Sequence, residues 1–225
     1  MALTESEWLS GTNPRDLLRY VRGKASDRKL RLFGHACWHR LRHLLKDHRL
    51  ERFLDLIALS ADDRVSPEEG AAAQAAAAEA AGLSGEPALS TEREREASRH
   101  LTRWGLHWMA METARASAWA AQKAAGWIGD WAVAAEMKAQ CDLLRELFGN
   151  PFRPTTMDPS WLTWNGGTIG KLARVIYDER RFADLPILAD ALEEAGCGDV
   201  DLLAHCRGQA DHVPGCWAVD LLLGQ

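Results

Sequence analysis

The sequence predicts an all-α protein, in which a helical bundle of long antiparallel helices is followed by a C-terminal module of short helices, with little or no β structure. Apolar residues recur three and four positions apart over most of the 225 residues, as they do on the buried face of a helix. No segment alternates apolar and polar residues as a half-buried strand does. Both observations indicate that the core forms by helix packing.

Changes in composition divide the chain into five segments, which we expect to form one compact domain. They are basic N-terminal helices at 1–60, an Ala-rich acidic connector at 61–90, an Ala/Trp-rich helical hairpin at 91–148, a Pro/Gly/Trp loop at 149–167 and a module of short helices at 168–225.

Helix-capping residues locate most of the helix starts. Asn13 and Pro14 predict a first helix, since Asn is a preferred N-cap and Pro fits the first helical turn. A longer helix is predicted from Ser26 to about Leu59, with a bend near Asp47. Further helices are predicted to start near Ser66, Thr91, Thr168, Asp184, Asp199 and Cys216, with a break in the long middle stretch at Gly126–Gly129.

Composition and cysteine usage are typical of a cytoplasmic protein. No run approaches the roughly 18 apolar residues that a membrane-spanning helix needs. The first residues lack the basic and apolar regions of a signal peptide. The five cysteines form no paired framework, which favours reduced thiols over disulfides. We therefore expect a cytoplasmic protein with no membrane association.

The net charge of −5 is unevenly distributed along the chain. Residues 15–52 hold twelve Lys/Arg and four Asp/Glu, whereas residues 55–96 hold three and ten. One interpretation is a basic surface that binds nucleic acid or an acidic partner, formed by Arg28, Lys29, Arg31, His35, His39, Arg40 and Arg42. The favoured interpretation is that the basic and acidic segments pair within the fold, because the chain as a whole is not basic.

Three histidines of this basic segment, His35, His39 and His43, share one helix face, as metal ligands on a helix would. Neighbouring arginines disfavour a bound cation there. We expect this face to be exposed, opposite Phe33 and Cys37, and to form a solvated or partner-facing basic stripe.

A candidate cofactor site lies in about the last thirty residues, where His205, Cys206, His212 and Cys216 follow Cys197. Thiolates and imidazoles are ligands of tetrahedral Zn²⁺. The spacing matches no zinc ribbon or finger, and the adjacent His205 and Cys206 point about 100° apart on a helix. Zinc binding by His205, Cys206, His212 and Cys216 is one prediction, and the packing of Cys206 and Cys216 in the core is its alternative.

Ten tryptophans are a second unusual feature, and five lie in the middle helices. Trp104, Trp108, Trp127 and Trp131 can line a ligand groove or fill the space that neighbouring alanines leave in a core. Core packing is the favoured interpretation.

Sequence motifs of common enzymes are absent. There is no nucleophile elbow, HExxH or CxxC motif, and the glycine-rich stretch at Gly166–Lys171 is too short for a P-loop and follows no strand. The sequence therefore predicts no catalytic residue and favours a protein that is not an enzyme.

Several segments of the chain resemble those of a family of bacterial proteins that is typical of planctomycete genomes. The segments that carry the resemblance are LRYVRGKASDRKLRLF, FGNPFRP, WLTWNGGTIGKLARVIYDERRF, LPILADALEEAGC, LLAHCRG and HVPGCWAVDLLLG. Members of that family also carry an Ala/Trp-rich middle of variable length. The resemblance implies a compact module formed by the end motifs and an expandable middle, but no activity, cofactor or catalytic residue.

These observations favour a non-catalytic helical protein-interaction or scaffold protein, with a protein partner or a second copy of the chain as its ligand. A zinc-binding enzyme or metal sensor that uses the C-terminal Cys/His residues is the alternative. Nucleic-acid binding through the basic N-terminal helix is the weakest interpretation.

Overall fold

A computed structural model describes residues 3–45, 47–81, 118, 121–123, 125, 129–208 and 211–225. The chain divides into two compact units, Met1–Leu144 and Arg145–Gln225. All regular structure within the described residues is helical, and none of them lies in a strand, which confirms the all-α prediction. No helix among these residues has both the length and the apolar character that crossing a membrane requires.

The described helices of the first unit come mostly from the N-terminal third of the chain. They are α1 (Glu5–Ser10), α2 (Pro14–Val21), α3 (Asp27–His39), α4 (His48–Ala61), α5 (Pro67–Ala80) and α6 (Asp130–Phe148), whose last residues from Arg145 belong to the second unit. Helix α4 packs against both α3 and α5. The core of this unit includes Trp8, Leu17, Phe33, Trp38, Phe53, Leu54 and Ile57.

Side chains cap the N-termini of these helices. Asn13, Ser26 and Ser66 each accept a hydrogen bond from a backbone N–H in the first turn of α2, α3 and α5. Helix α1 was not predicted, although Thr4 and Glu7 form a capping box at its start. These local hydrogen bonds explain why the predicted starts of α2, α3 and α5 agree with the structure.

The single long helix predicted from Ser26 to Leu59 is wrong: the structure contains two helices. Helix α3 ends at His39, a 3₁₀ turn covers Arg42–Leu44, and α4 begins at His48. Asp47 has extended backbone dihedral angles and caps α4, so the predicted bend is a complete interruption.

The second unit consists of short helices around its own core. They are α7 (Pro159–Thr163), α8 (Thr168–Asp178), α9 (Leu185–Glu194), α10 (Val200–Arg207) and α11 (Trp217–Leu223), with 3₁₀ turns at Trp164–Gly166 and Phe182–Asp184. Helix α8 packs against α9 and α11, and α9 packs against α10. The core includes Ile169, Ala173, Ile176, Leu185, Leu188, Leu192, Leu202, Val219 and Leu222.

The helix starts predicted for this unit agree with the structure to within a residue. Asp199 caps α10 by accepting the N–H of Leu202 at 2.8 Å. Thr168 is the first residue of α8 rather than its N-cap; Gly167, at φ +82°, occupies the cap position. Helix α8 ends at Asp178.

Asp47 is expected to contribute measurably to stability. Its carboxylate accepts the backbone N–H of Arg49 at 2.9 Å and two bonds from the Arg49 guanidinium, which lower its pKa to about 2. Asp47→Ala should reduce the free energy of unfolding at pH 7 by about 1–2 kcal/mol, as the loss of a helix cap does. Denaturant-induced unfolding followed by circular dichroism measures this change.

The matched control is Asp55→Ala, which removes an exposed carboxylate from the same helix and should change stability by less than about 0.5 kcal/mol. The folded-state pKa of Asp47 lies below its unfolded value. Its contribution is therefore complete above about pH 4 and declines as the pH falls toward 2. Equal losses for both variants at pH 7 would contradict the capping role.

Candidate metal centre

Four potential metal ligands of the second unit converge at one point. Glu146 lies in the last turn of α6, and His205 lies in the last turn of α10. His212 lies in the connection between α10 and α11, and Cys216 is the N-cap of α11. Three segments that are separated in the sequence therefore supply the four side chains.

The donor atoms of these residues face one another at short distances. Nδ1 of His212 is 3.0 Å from Oε1 of Glu146, and Nε2 of His205 is 3.4 Å from Oε2 of the same carboxylate. Sγ of Cys216 is 3.2 Å from Nε2 of His205 and 4.0 Å from Nδ1 of His212. One ligand atom from each residue lies within 4.8 Å of the other three.

These separations match those of a tetrahedral zinc site. With Zn–N, Zn–O and Zn–S bonds of about 2.0–2.3 Å, adjacent ligand atoms of a tetrahedron are about 3.3–3.8 Å apart. Four of the separations between donor atoms lie between 3.0 and 4.0 Å and bracket this range, and all separations in the group are within 4.8 Å. The donor atoms that lie farthest apart must therefore approach one another by up to about 1 Å to complete a tetrahedron around one ion.

The four side chains are largely shielded from solvent. Cys216 is 0% exposed, the side chains of Glu146 and His212 are 5% and 6% exposed, and that of His205 is 17% exposed. Nε2 of His212 is buried without a hydrogen-bond partner among the described residues, so its polar contacts are on the Nδ1 side. Shielding from water strengthens the interaction of an ion with these donors.

Burial also determines the protonation of the metal-free side chains. It raises the pKa of the Cys216 thiol well above its ordinary value, and the Glu146 carboxylate acts in the same direction. Burial lowers the pKa of His205, although Glu146 acts in the opposite direction. Cys216 is therefore a neutral thiol and His205 a neutral imidazole at neutral pH, and the thiol must lose its proton when it binds a metal.

Two helix ends favour a cation at this point. The C-terminal end of a helix carries a partial negative charge, which attracts positive charge within its last turn. Glu146 and His205 lie in the last turns of α6 and α10, respectively. Their backbone surroundings therefore add to the attraction that the side-chain donors provide.

The same geometry argues against a cysteine nucleophile. In a catalytic triad, one imidazole nitrogen faces the nucleophile and the other nitrogen faces the carboxylate. Here Nε2 of His205 faces both Cys216 and Glu146. Cys216 is fully buried and its thiol pKa is raised, whereas a nucleophilic thiol needs a lowered pKa and access to a substrate.

The structure brings together three of the four residues predicted as zinc ligands. Cys206, the fourth, is not a member of the group. It lies next to His205 on α10, where adjacent side chains point about 100° apart, and it is buried in the apolar core. Burial raises the pKa of Cys206 to about 12. The alternative prediction, core packing, therefore describes Cys206.

Sequence reasoning missed Glu146, which takes the place assigned to Cys206. It lies 66 positions before His212 in the sequence, so no local spacing connects the two residues. The sequence around Glu146 nevertheless contains an indication that this residue is unusual. Glu146 stands three residues after the buried Leu143 and beside the buried Leu147, and a charged residue at such a position is unusual.

The predicted basic surface is only partly exposed. Within this surface, Arg28 pairs with Asp62 of the connector at 2.6 Å. Two arginines of the same basic segment that lie outside the predicted surface, Arg49 and Arg52, pair with Glu79 at 3.5 Å and with Glu69 at 4.0 Å. Arg40 pairs with Glu136 at 3.0 Å and Arg42 with Glu51 at 3.4 Å. Lys29 and Arg31 are half-buried. These pairs match the favoured interpretation, in which basic and acidic segments face each other.

The prediction that His35, His39 and His43 all lie on an exposed helix face is wrong for His35. Its side chain is buried at 3% exposure, whereas His39 and His43 are exposed. The prediction assumed that α3 buries a single face. All residues from Leu32 to Trp38 are buried, so α3 is covered on nearly all sides.

Of the predicted tryptophan groove, Trp104, Trp108 and Trp127 lie outside the described residues. Trp131 is described, and it is 71% exposed near the start of α6. This position does not fit the favoured interpretation of Trp131 as a core residue.

Comparison of the chain with protein-family models, with curated proteins and with solved structures finds no match. A proposal for the function therefore rests on the geometry of the candidate metal centre.

Cys216 of the metal-free protein should be unreactive. Because the thiol is buried and its pKa is raised, we expect iodoacetamide to modify Cys216 at pH 7 no faster than Cys206. Mass spectrometry of the chelator-treated native protein measures both rates, and a urea-unfolded sample gives the reference rate. Selective, rapid modification of Cys216 at neutral pH would instead identify an activated thiolate.

Proposed function

We propose that the second unit binds one Zn²⁺ ion through Glu146, His205, His212 and Cys216, and that this ion has a structural role. The observation that supports the proposal is the convergence of the four donor atoms within 4.8 Å of one another. The ligand atoms are Nε2 of His205, Nδ1 of His212, Sγ of Cys216 and one oxygen of the Glu146 carboxylate.

The donor types support zinc rather than a hard cation. Mg²⁺ and Ca²⁺ take six or more oxygen ligands, whereas this group offers one sulfur and two imidazole nitrogens. A thiolate with imidazoles suits Zn²⁺, and Co²⁺ fits the same geometry as a spectroscopic substitute.

The number of ligands supports a structural role. Catalytic zinc sites hold the ion with three protein ligands and leave the fourth position to water or substrate, whereas structural sites use four. Here four protein ligands surround one point. The second unit is about 80 residues long, a size at which a single apolar core leaves only marginal stability. A metal that joins α6, α10 and the start of α11 would stabilise the C-terminal part of this unit.

A structural zinc ion agrees with the interaction or scaffold role that the sequence favours. In this proposal the zinc-stabilised unit is a non-catalytic helical module in the cytoplasm, and its ligand is a protein partner or a second copy of the chain. The pairing of basic arginines with acidic side chains disfavours nucleic-acid binding.

Zinc binding is tested by metal analysis and by affinity measurement. The purified protein should contain one equivalent of zinc, and removal of zinc by a chelator should lower Tm. Zinc at 100 times its dissociation constant should stabilise the folded protein by about 2.7 kcal/mol. Cys216→Ala and His212→Ala should each weaken Zn²⁺ binding by about 100-fold or more, because loss of a ligand exceeds the effect of losing its supporting residues. Competition with a chromophoric chelator measures the affinity.

Cys206→Ala is the matched control. It removes a buried thiol adjacent to a ligand but outside the group of donors, so Zn²⁺ affinity should stay at the wild-type value. If the wild-type protein binds no zinc and is unaffected by chelators, the four residues form only a buried hydrogen-bonded cluster. Equal losses of affinity for Cys206→Ala and Cys216→Ala would contradict the assigned ligands.

A further inference from the structure

Trp217 lies directly beside the candidate metal centre. It is the first residue of α11 and follows the ligand Cys216. The centroid of its ring is 4.9 Å from that of the His205 imidazole, with 49° between the two planes. The imidazole of His205 also contacts that of His212 edge-on, with centroids 5.0 Å apart. The ring of His205 is therefore held by aromatic contacts with Trp217 and His212.

The indole of Trp217 also lies against the end of α6. Gly149 follows the last residue of this helix, and its N–H donates to the carbonyl oxygen of Arg145 at 2.8 Å. A Cβ atom at Gly149 would lie 3.0 Å from Cδ2 and 3.2 Å from Cγ of Trp217. The space for the indole thus depends on the absence of a side chain at position 149.

His205 is the ligand that most needs such support. Its side chain is 17% exposed, whereas those of Glu146 and His212 are 5% and 6% exposed. A more exposed imidazole has more freedom to rotate away from the metal, and a gap beside it would admit water as a further ligand. The Trp217 indole covers part of this ring. It therefore restricts both the rotation of the imidazole and the entry of water.

We propose that Trp217 is a positioning residue of the metal centre, which holds His205 in its ligating orientation and keeps the ion four-coordinate. Gly149 provides the space that the indole needs. This inference rests on the proposed zinc site and extends it to selectivity: the site should prefer ions that accept four ligands, such as Zn²⁺ and Co²⁺, over ions that require six, such as Mn²⁺.

Titration of chelator-treated protein with Co²⁺ and with Zn²⁺ tests the role of Trp217. Wild-type protein should give the intense visible absorption of four-coordinate Co²⁺. Trp217→Ala should weaken this absorption as water enters, and it should lower Zn²⁺ affinity by about 10- to 100-fold, the usual effect of losing a supporting residue. Trp217→Phe keeps an aromatic ring against His205 and should restore most of both signals.

Trp164→Ala is the control for a purely structural effect. Trp164 also packs against the core of the second unit, so its loss should lower Tm. The Co²⁺ spectrum and the Zn²⁺ affinity should nevertheless remain those of the wild type. A Trp217→Ala variant that matches the wild type in both metal signals would overturn the inference.

A pair of glycine variants tests the same contact without removing the indole. Gly149 and Gly224 have similar backbone angles, φ +62° and +68°, but a Cβ at Gly224 meets no atom within 4 Å. Both alanine variants therefore introduce similar backbone strain. Only Gly149→Ala presses on Trp217, so only this variant should weaken Zn²⁺ binding and alter the Co²⁺ spectrum. Equal metal signals for the two variants would contradict the role of Gly149.

The two proposals fail in different ways. If wild-type protein binds neither Zn²⁺ nor Co²⁺, the zinc site itself is wrong. If wild-type protein binds both ions and the variants of Trp217 and Gly149 bind them equally well, the zinc site remains and only the positioning role is wrong.

Discussion

The carboxylate of Glu146 contacts the imidazoles of both His205 and His212, and these contacts constrain the path of the C-terminal residues. A carboxylate that is 5% exposed is unfavourable in a protein interior unless polar partners compensate for its lost hydration. Those partners come from the end of α10 and from the connection that follows it. The connection must therefore return to the end of α6, and its return also places Cys216 and Trp217 beside the imidazoles.

The sequence predicts elements of this fold well where local interactions determine them. N-caps such as Asn13 and Asp199 bond to backbone N–H groups within the same turn, so the starts of α2 and α10 can be predicted without knowledge of the tertiary structure. The interruption between α3 and α4 could not be predicted as fully, because apolar spacing continues through it. The burial of His35 depends on helices that pack around α3, and a single-face pattern does not contain that information.

Prediction of the candidate site was also limited to what residue type and local spacing can reveal. Residue type alone identified His205, His212 and Cys216, because imidazoles and thiols are uncommon enough to be noticed within about a dozen positions. Glu146 is one of many acidic residues, and only the tertiary fold brings it to His212, 66 positions later. The choice between Cys206 and Cys216 depends on direction: both are buried, but only Cys216 points toward the imidazoles.

Charge balance supplies an independent argument for zinc at this point. A Zn²⁺ ion bound by the Cys216 thiolate, the Glu146 carboxylate and two neutral imidazoles forms a complex with no net charge. Burying a neutral complex avoids much of the desolvation penalty that an isolated ion would incur. Without the metal, the buried carboxylate relies on its contacts with His205, His212 and Cys216.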